Sequence, residues 1–551
     1  MARFLANGTL DPAFAASANS SVKALAVQPD GKIIVAGSFS QLNGQARNGV
    51  GRMHPDGTLD AAFVPGSFPG ARMMALQPDG KILIGGGFSG SLSRLNADGS
   101  TDPTFQPGIN SVQSIALQRD GKILIGGHFM TVSNLPRERL ARLQPDGGVD
   151  STFIANAGGV VHSLSVLADG SILVAGEFAE IAGRARNRIA LLEADGALKS
   201  DFNPGADGAV HHAAAHTDGT VLLTGLFSEV GGQPSGNMAR LAMPYAAVQN
   251  LIHQGNTITW QRSGGVPEIQ APTFEHTTDG LNWIQLGPAT PVAGGWELSG
   301  VPNLASGTIR ARGRVSGSGR SHWLVEDYHG LPVLITQPVD QTIGYSGQVE
   351  LRAVAGGTGP LSYQWLKDGV PLTDNETFLG ATTSVLTVVQ ATGAQTGVYQ
   401  LVASNAFGST TSDPVTLAVT DPVMAAQPVD QTRTIGGAAV LNCEVLGAAS
   451  LSFQWFHDGV PLAGANSPTL TIDPVQLSHA GSYYLEAAGP YGMTRSEEAV
   501  LTVNGYALDP EFDFVLGGSQ AHVRAMAVQS DGEILAAGGF DAVDGIQQRR
   551  L

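Results

Sequence analysis

Short apolar runs separated by glycine turns fill this chain, and one arrangement of them recurs six times. In its first complete occurrence VKALAV (22–27) predicts a strand from its apolar, β-branched content. Pro29-Asp30-Gly31-Lys32 predicts a tight turn, because glycine tolerates positive φ and Asp-Gly suits the twist of a hairpin. IIVAG (33–37) is apolar at both parities, the pattern of a strand covered on both faces. Phe39 ends it, Arg52-Met53 starts a third strand, Asp56-Gly57 turns it, and 59–63 predicts a fourth. The first turn returns as Asp79-Gly80, Asp120-Gly121, Asp169-Gly170, Asp218-Gly219 and, far downstream, Asp531-Gly532. The phenylalanine returns as Phe88, Phe129, Phe178, Phe227 and Phe540, and the second turn as Asn7-Gly8, Asp98-Gly99, Asp146-Gly147 and Asp195-Gly196. The first five first-turns stand 41 to 49 residues apart. A unit of that size cannot bury its own apolar face, so neighbours must stack.

Four antiparallel strands per unit, stacked face to face, predict a β-propeller, where ring closure leaves only short protected edges. A β-solenoid is the rival, but its coils usually run ~20–30 residues. The strings VKALAVQPDGKIIVAGSF, VQSIALQRDGKILIGGHF and VRAMAVQSDGEILAAGGF, with GTLDPAF, GTLDAAF and GSTDPTF, resemble the bacterial delta-60 repeat over about 1–241 and 504–551. The resemblance implies a propeller-like region in a large secreted or surface protein and assigns no catalytic residue.

The repeat lapses at 244–331. NTITW (256–260) reads as a strand with a core tryptophan, and TIRAR (308–312) alternates apolar inward and cationic outward. This stretch resembles a fibronectin type III-like sandwich. Residues 332–420 and 421–503 form a pair: both open with QPVDQT, both carry Gln-Trp followed by DGVPL around Trp365 and Trp455, and both carry Gly-x-Tyr at Tyr399 and Tyr483. They resemble immunoglobulin domains, with a buried tryptophan and a tyrosine corner. The positions of the family disulfide hold Ala353 and Leu401 in one domain, Cys443 and Leu485 in the other, so apolar packing must replace the crosslink. Cys443 reads as an inert core thiol.

The expected fold is therefore all-β: propeller units over 1–243, three sandwiches, and a sixth unit at 504–551. Ala239-Arg240-Leu241 is a third strand whose fourth should follow one turn later, and 504–512 can supply it. In one reading the sandwiches are an insertion in a six-bladed ring, with Leu10 to Phe14 completing blade six. In the other, Leu10 to Phe14 closes a five-bladed ring and the sixth unit begins another propeller. The ends, Met1 and Leu551, fall at the same phase of the repeat, so the chain reads either as a closed ring or as a fragment.

Composition narrows the function. Only 14% of residues are charged and the net charge is −17, which argues against a nucleic-acid partner. No apolar run approaches the ~18 residues of a membrane span, and no secretory signal precedes the first repeat. A single cysteine excludes an intrachain disulfide. The Asp-Gly aspartates (Asp30, Asp79, Asp120, Asp169, Asp218) and Gly31, Gly80, Gly121, Gly170 and Gly219 read as turn formers. Each turn offers one carboxylate, not the clustered ligands of a calcium loop. Asp11, Asp60, Asp102 and Asp150, three residues before a phenylalanine, read as bonding local backbone; unit five has Lys199 there. His211, His212 and His216 suggest a metal at first sight. Strand parity sends 211 and 212 to opposite sides and sets 212 and 216 roughly 13 Å apart, too far for a shared zinc. Thr278 to Trp283 resembles the Asp-box hairpin of sialidases, a turn stabiliser.

No nucleophile elbow, P-loop or zinc-protease motif occurs, so no catalytic, cofactor or metal-ligating residue is nominated. Variable loops after the strand-ending phenylalanines carry non-equivalent polar residues, Arg47, Arg137, Glu138, Arg184 and Arg186, as candidate ligand-facing positions. The expected function is a non-enzymatic extracellular or cell-surface scaffold for adhesion or binding, with a protein or glycan partner. The alternative is a carbohydrate-binding or carbohydrate-processing propeller with a site at the ring mouth.

Overall fold

The computed structural model describes the chain except residues 5–8, 87–90, 303, 305, 318–320, 449, 506–514, 545 and 548–551. The expected turn at Asn7-Gly8, Phe88, most of the 504–512 strand and Leu551 lie outside the described residues. The rest is built from strands, with two single-turn 3₁₀ helices at Gly393–Gln395 and Leu477–His479.

Each repeat unit folds as an antiparallel sheet. Blade one joins Val22–Val27, Ile33–Gly37 and Val50–Met53; blade two, Met73–Leu76, Ile82–Gly85 and Leu92–Leu95. Blade three joins Val112–Leu117, Ile123–Gly127 and Leu140–Leu143. Blade four joins Val161–Val166, Ile172–Gly176 and Ile189–Leu192; blade five, Ala209–Ala215, Thr220–Leu226 and Met238–Ala242. First strands of successive blades lie against one another. The apolar clusters lie between blades, as the repeat length requires. Met73, Ala75 and Leu83 of blade two pack with Ile115, Ile125 and Leu143 of blade three. Blade three's Ala116, Leu124 and Leu140 pack in turn with Leu164, Val174 and Leu192 of blade four.

The fourth strand differs from expectation. It shrinks to one bridge in each of blades one to four: Met53 to Leu59, Leu95 to Thr101, Leu143 to Val149 and Leu192 to Leu198. In the first three the next residue is Asp60, Asp102 or Asp150, whose carboxylate accepts the N–H two residues on and turns the chain out of the ladder. Leu10, expected to complete blade five or six, bridges Phe4 of its own segment. That segment lays Phe14 and Ala16 over Val35 and Met53 of blade one.

Residues 248–330 form two facing four-stranded sheets. One has the order Thr290–Val292, Gly295–Ser299, Thr257–Ser263, Val248–Gln254. The other has the order Ile284–Pro288, Gln270–Thr277, Thr308–Gly317, Ser321–Gly330. Trp260, Trp296, Phe274, Ile309 and Ala311 fill the space between them. The strand Ser321–Gly330 also pairs in parallel with the free edge of Val22–Val27.

The two following domains repeat one plan. Trp365 and Trp455 are fully buried, and each indole N–H donates to a backbone carbonyl, of Thr383 and Ser467 respectively. The Tyr399 hydroxyl donates to Gln395 O at 2.7 Å, and that of Tyr483 to His479 O at 2.8 Å. Ala353 and Leu401 share one core, Cys443 and Leu485 the other. Burial pushes the Cys443 thiol pKa up, which keeps it protonated and unreactive. Asp421 joins the two domains by accepting N–H groups from Gly393 of the first and Ala448 of the second, both at 2.9 Å.

The sixth unit forms the hairpin Val523–Val528 with Ile534–Gly538. Every residue from Arg524 to Val528 and from Ile534 to Gly538 is exposed.

Candidate functional site

The propeller has two unlike ends. Asp-Gly turns line one; the starts of the first strands and the variable loops line the other.

At the turn end each Asp-Gly aspartate accepts the backbone N–H two residues on, as Asp30 does from Lys32 and Asp120 from Lys122. The sandwich docks here. Ala168 N–H donates to Val266 O, and Glu268 N–H to Val166 O. Arg119 donates through Nη2 to Glu268 Oε2 at 2.7 Å and to Ala168 O at 3.1 Å, and stacks 5.5 Å from the Trp296 ring. Glu268 is almost fully buried, and burial raises its pKa against the pull of Arg119. Beside this junction a cleft of about 450 Å³ lies between the domains, with Asp30, Glu275, Gln285, Arg312 and Arg314 in its wall. The seam joins residues 149 apart in the chain, Arg119 and Glu268, which no local pattern pairs.

Between the ends, a side-chain motif links each of blades one to three to the next. Arg52 Nε donates to Asp60 at 2.8 Å, Arg94 to Asp102 at 2.9 Å and Arg142 to Asp150 at 2.8 Å. Lys32, Lys81 and Lys122 add a second cation to the same carboxylates. Each guanidinium lies over the phenylalanine three residues past its aspartate: Phe63, Phe105 and Phe153. It also donates to a carbonyl in the following unit: Ala97, Pro145 or Ala194. Arg3, Asp11, Phe14 and Pro55 repeat the set. These aspartates bond local backbone as expected, but their larger role is the arginine latch. In blade four Lys199 sits opposite Leu191, its backbone N–H donating to Leu191 O, so both members of the pair are exchanged together. Lys199 turns instead to Asp169, Glu193 and the Tyr245 ring.

At the loop end the candidate ligand-facing residues divide. Arg47, Arg137 and Arg186, expected to be non-equivalent, occupy one equivalent position. Each donates through Nη1 to the carbonyl of the residue before it: Ala46, Pro136 and Ala185. Arg137 and Arg186 also donate through Nη2 to carbonyls beyond their hairpins, Ser151 for the first and Lys199 and Ser200 for the second. Arg184 is exposed within such a hairpin, and the Glu138 backbone bonds to Asn156 and Ala157. Among the described residues no hydrogen bond or ion pair joins these five side chains to one another.

A different group does converge at this end. His162 Nε2 lies 2.9 Å from Glu177 Oε1. The rings of His162 and His211 meet edge to face at 5.3 Å, and His128 stands 6.4 Å from His162. The Glu177 carboxyl pKa is lowered by the hydrogen bond from His162 and by the charge of the surrounding histidines. His211 therefore has partners from the neighbouring blade, and His216 pairs separately with Asp218. The signal lay in register: His162 and His211 each follow a first-strand valine, Val161 and Val210, 49 residues apart, and His128 and Glu177 both precede a strand-ending phenylalanine.

Comparison with known proteins agrees with this architecture. A beta-propeller domain of unknown function (DUF5122) matches residues 28–63, 77–105, 118–153, 167–202 and 216–243. An immunoglobulin domain model matches 332–405 and 421–488. The chain carries a DUF5122 beta-propeller region and immunoglobulin domains. Among similar proteins, hemicentin-2 of Mus musculus is 26% identical over 43% of this chain and 5% of its own length. Junctional adhesion molecule A of Rattus norvegicus is 31% identical over 28% of this chain and 59% of its own. Neuronal cell adhesion molecule of Gallus gallus is 28% identical over 29% of this chain and 13% of its own. The chain thus spans less than two thirds of these relatives. Among the described residues, no helix is long and apolar enough to cross a membrane.

Proposed function

We propose that the protein is a non-enzymatic adhesive scaffold at a cell surface or outside the cell, with the propeller and sandwich as a head on a stalk of immunoglobulin domains. The observation that carries this reading is the tandem of immunoglobulin domains whose relatives are named for adhesion. Supporting it, polar contacts stiffen each junction: Arg119 with Glu268, Asn405 Nδ2 donating to Gly330 O at 2.8 Å, and Asp421 between the last two domains. The strand order of 248–330 supports the fibronectin type III-like reading of the first sandwich, and the repeat strings support a bacterial delta-60 origin. The partner is a protein or a glycan.

Protease shaving of intact cells, followed by binding of the released chain to protein and glycan arrays, tests this. Release from the surface and binding without turnover are expected. Retention inside unbroken cells, or hydrolysis of an arrayed glycan, would overturn it.

We further place 504–551 as the sixth blade. The N-terminal segment, with its Phe4 to Leu10 bridge and Arg3–Asp11 pair, matches the second half of a blade. The hairpin Val523–Val528 with Ile534–Gly538 matches the first half. Apolar side chains stand exposed on the three surfaces that closure would join: Val27 on blade one, Leu226 on blade five, and Met526 and Leu535 on the hairpin.

A further inference from the structure

The histidines and glutamate at the loop end of blades four and five have the chemistry and placement of a metal site. His162 and His211 occupy the same register position of adjacent first strands, and both are β-bulge residues. The ladder runs Val161 to Gly176 and then Ser163 to Ala175, skipping His162; it runs Val210 to Gly225 and then His212 to Thr224, skipping His211. A bulge releases its extra residue from strand alternation and re-aims the side chain. Parity arguments therefore fail at these two positions, and the two imidazoles turn toward each other across the blade boundary. Glu177, which follows the strand Ile172–Gly176, supplies a carboxylate from the same end.

We propose that His162, Glu177 and His211 bind a zinc ion that ties blade four to blade five. The ligating atoms of the three residues all lie within 4.8 Å of one another. Tetrahedral ligands ~2 Å from zinc stand roughly 3.3 Å apart, so closure asks the ligating atoms to approach by at most about 1.5 Å. Glu177 is half-exposed and already 2.9 Å from His162 Nε2, while the two histidines are partly buried. Two imidazoles and one carboxylate suit zinc, and not magnesium or calcium, which take all-oxygen shells. Three protein ligands leave a fourth position toward solvent, which water fills or a side chain of a docked partner takes.

Zinc uptake by the untagged full-length chain, stripped with chelator and titrated calorimetrically, tests the assignment. One zinc per chain is expected. Affinity should fall at least about tenfold in His162→Gln and in His211→Gln, and should hold in His216→Gln, whose ring pairs with Asp218 elsewhere. No uptake by the parent chain overturns the proposal, as does equal uptake by the His162→Gln/His211→Gln double variant. Should a histidine variant fail to fold, Glu177→Gln gives the same comparison at an exposed position, read by the visible absorption of bound Co²⁺. A weakened band supports the site; an unchanged band and unchanged affinity overturn it.

Discussion

Arg142 concentrates the residue-scale physics of the propeller. Its guanidinium meets the Asp150 carboxylate, the Phe153 face and the Ala194 carbonyl of the next unit, while only 7% of its side chain is exposed. Removing one member of such a pair strands a buried charge. Asp150→Ala should cost ~3 kcal/mol in chemical denaturation. Blade four shows an accepted exchange at the same positions, Leu191 with Lys199. The double variant Arg142→Leu/Asp150→Lys should therefore lose less than the two single changes summed, by about 0.5–3 kcal/mol. An additive cycle would refute the coupling. The aspartates also set acid sensitivity. Hydrogen bonds from Thr104 and Lys81 hold Asp102 well below the ordinary carboxylate range. At Asp150 burial pushes upward, but bonds from Thr152 and Arg142 outweigh it. With both folded pKa values lowered, their stabilisation is full above the unfolded value of ~3.9 and is lost as pH falls below it. Asp150→Asn should flatten the decline in stability between about pH 4 and pH 2. The eight-residue spacing of arginine and aspartate was present in the sequence. Spacing alone does not pair them, because the arginine lies in a strand and the aspartate in the turn beyond it, and only the returning chain brings them together.

At the scale of elements, the second-turn glycines have a role beyond the turn. Gly147 has φ +97°, and a Cβ there would lie 2.9 Å from the Phe105 ring, which closes the preceding unit. Gly147→Ala should therefore destabilise by more than the ~1 kcal/mol of an ordinary substitution. It should do so more than Gly183→Ala, where φ is also positive but nothing lies within 4 Å. Equal thermal shifts for the two would remove packing from the explanation. Strand positions, first turns and the tryptophan and tyrosine anchors were all legible, because apolar alternation and Asp-Gly turns are local signals. The one-bridge fourth strand and the bulges at His162 and His211 were not. Both depend on how neighbouring backbones pair, and a bulge changes register without changing composition.

For the whole molecule, the consequence to test is ring closure. Met526 is exposed in the hairpin, where a charge should change stability by no more than about 0.5 kcal/mol. If the hairpin packs between blades five and one, Met526→Glu should instead cost ~2 kcal/mol or more, as burying a charge in an apolar seam does. A neutral outcome in thermal unfolding would leave the hairpin outside the ring. Docking of the sandwich on the Asp-Gly end belongs to this scale too. Glu268 lies 149 residues from Arg119, and no local pattern marks them as partners.

The amino-acid sequence by itself determined the all-β class, the stacking of units too small to bury their own faces, and the paired domains built on Trp365 and Trp455. Those follow from periodicity and turn chemistry, which act over a few residues. Only the tertiary structure decided that arginines latch one blade to the next, that the sandwich sits against the propeller, and that His162 finds His211. Those depend on which distant backbones come together, and on side chains re-aimed where a ladder slips.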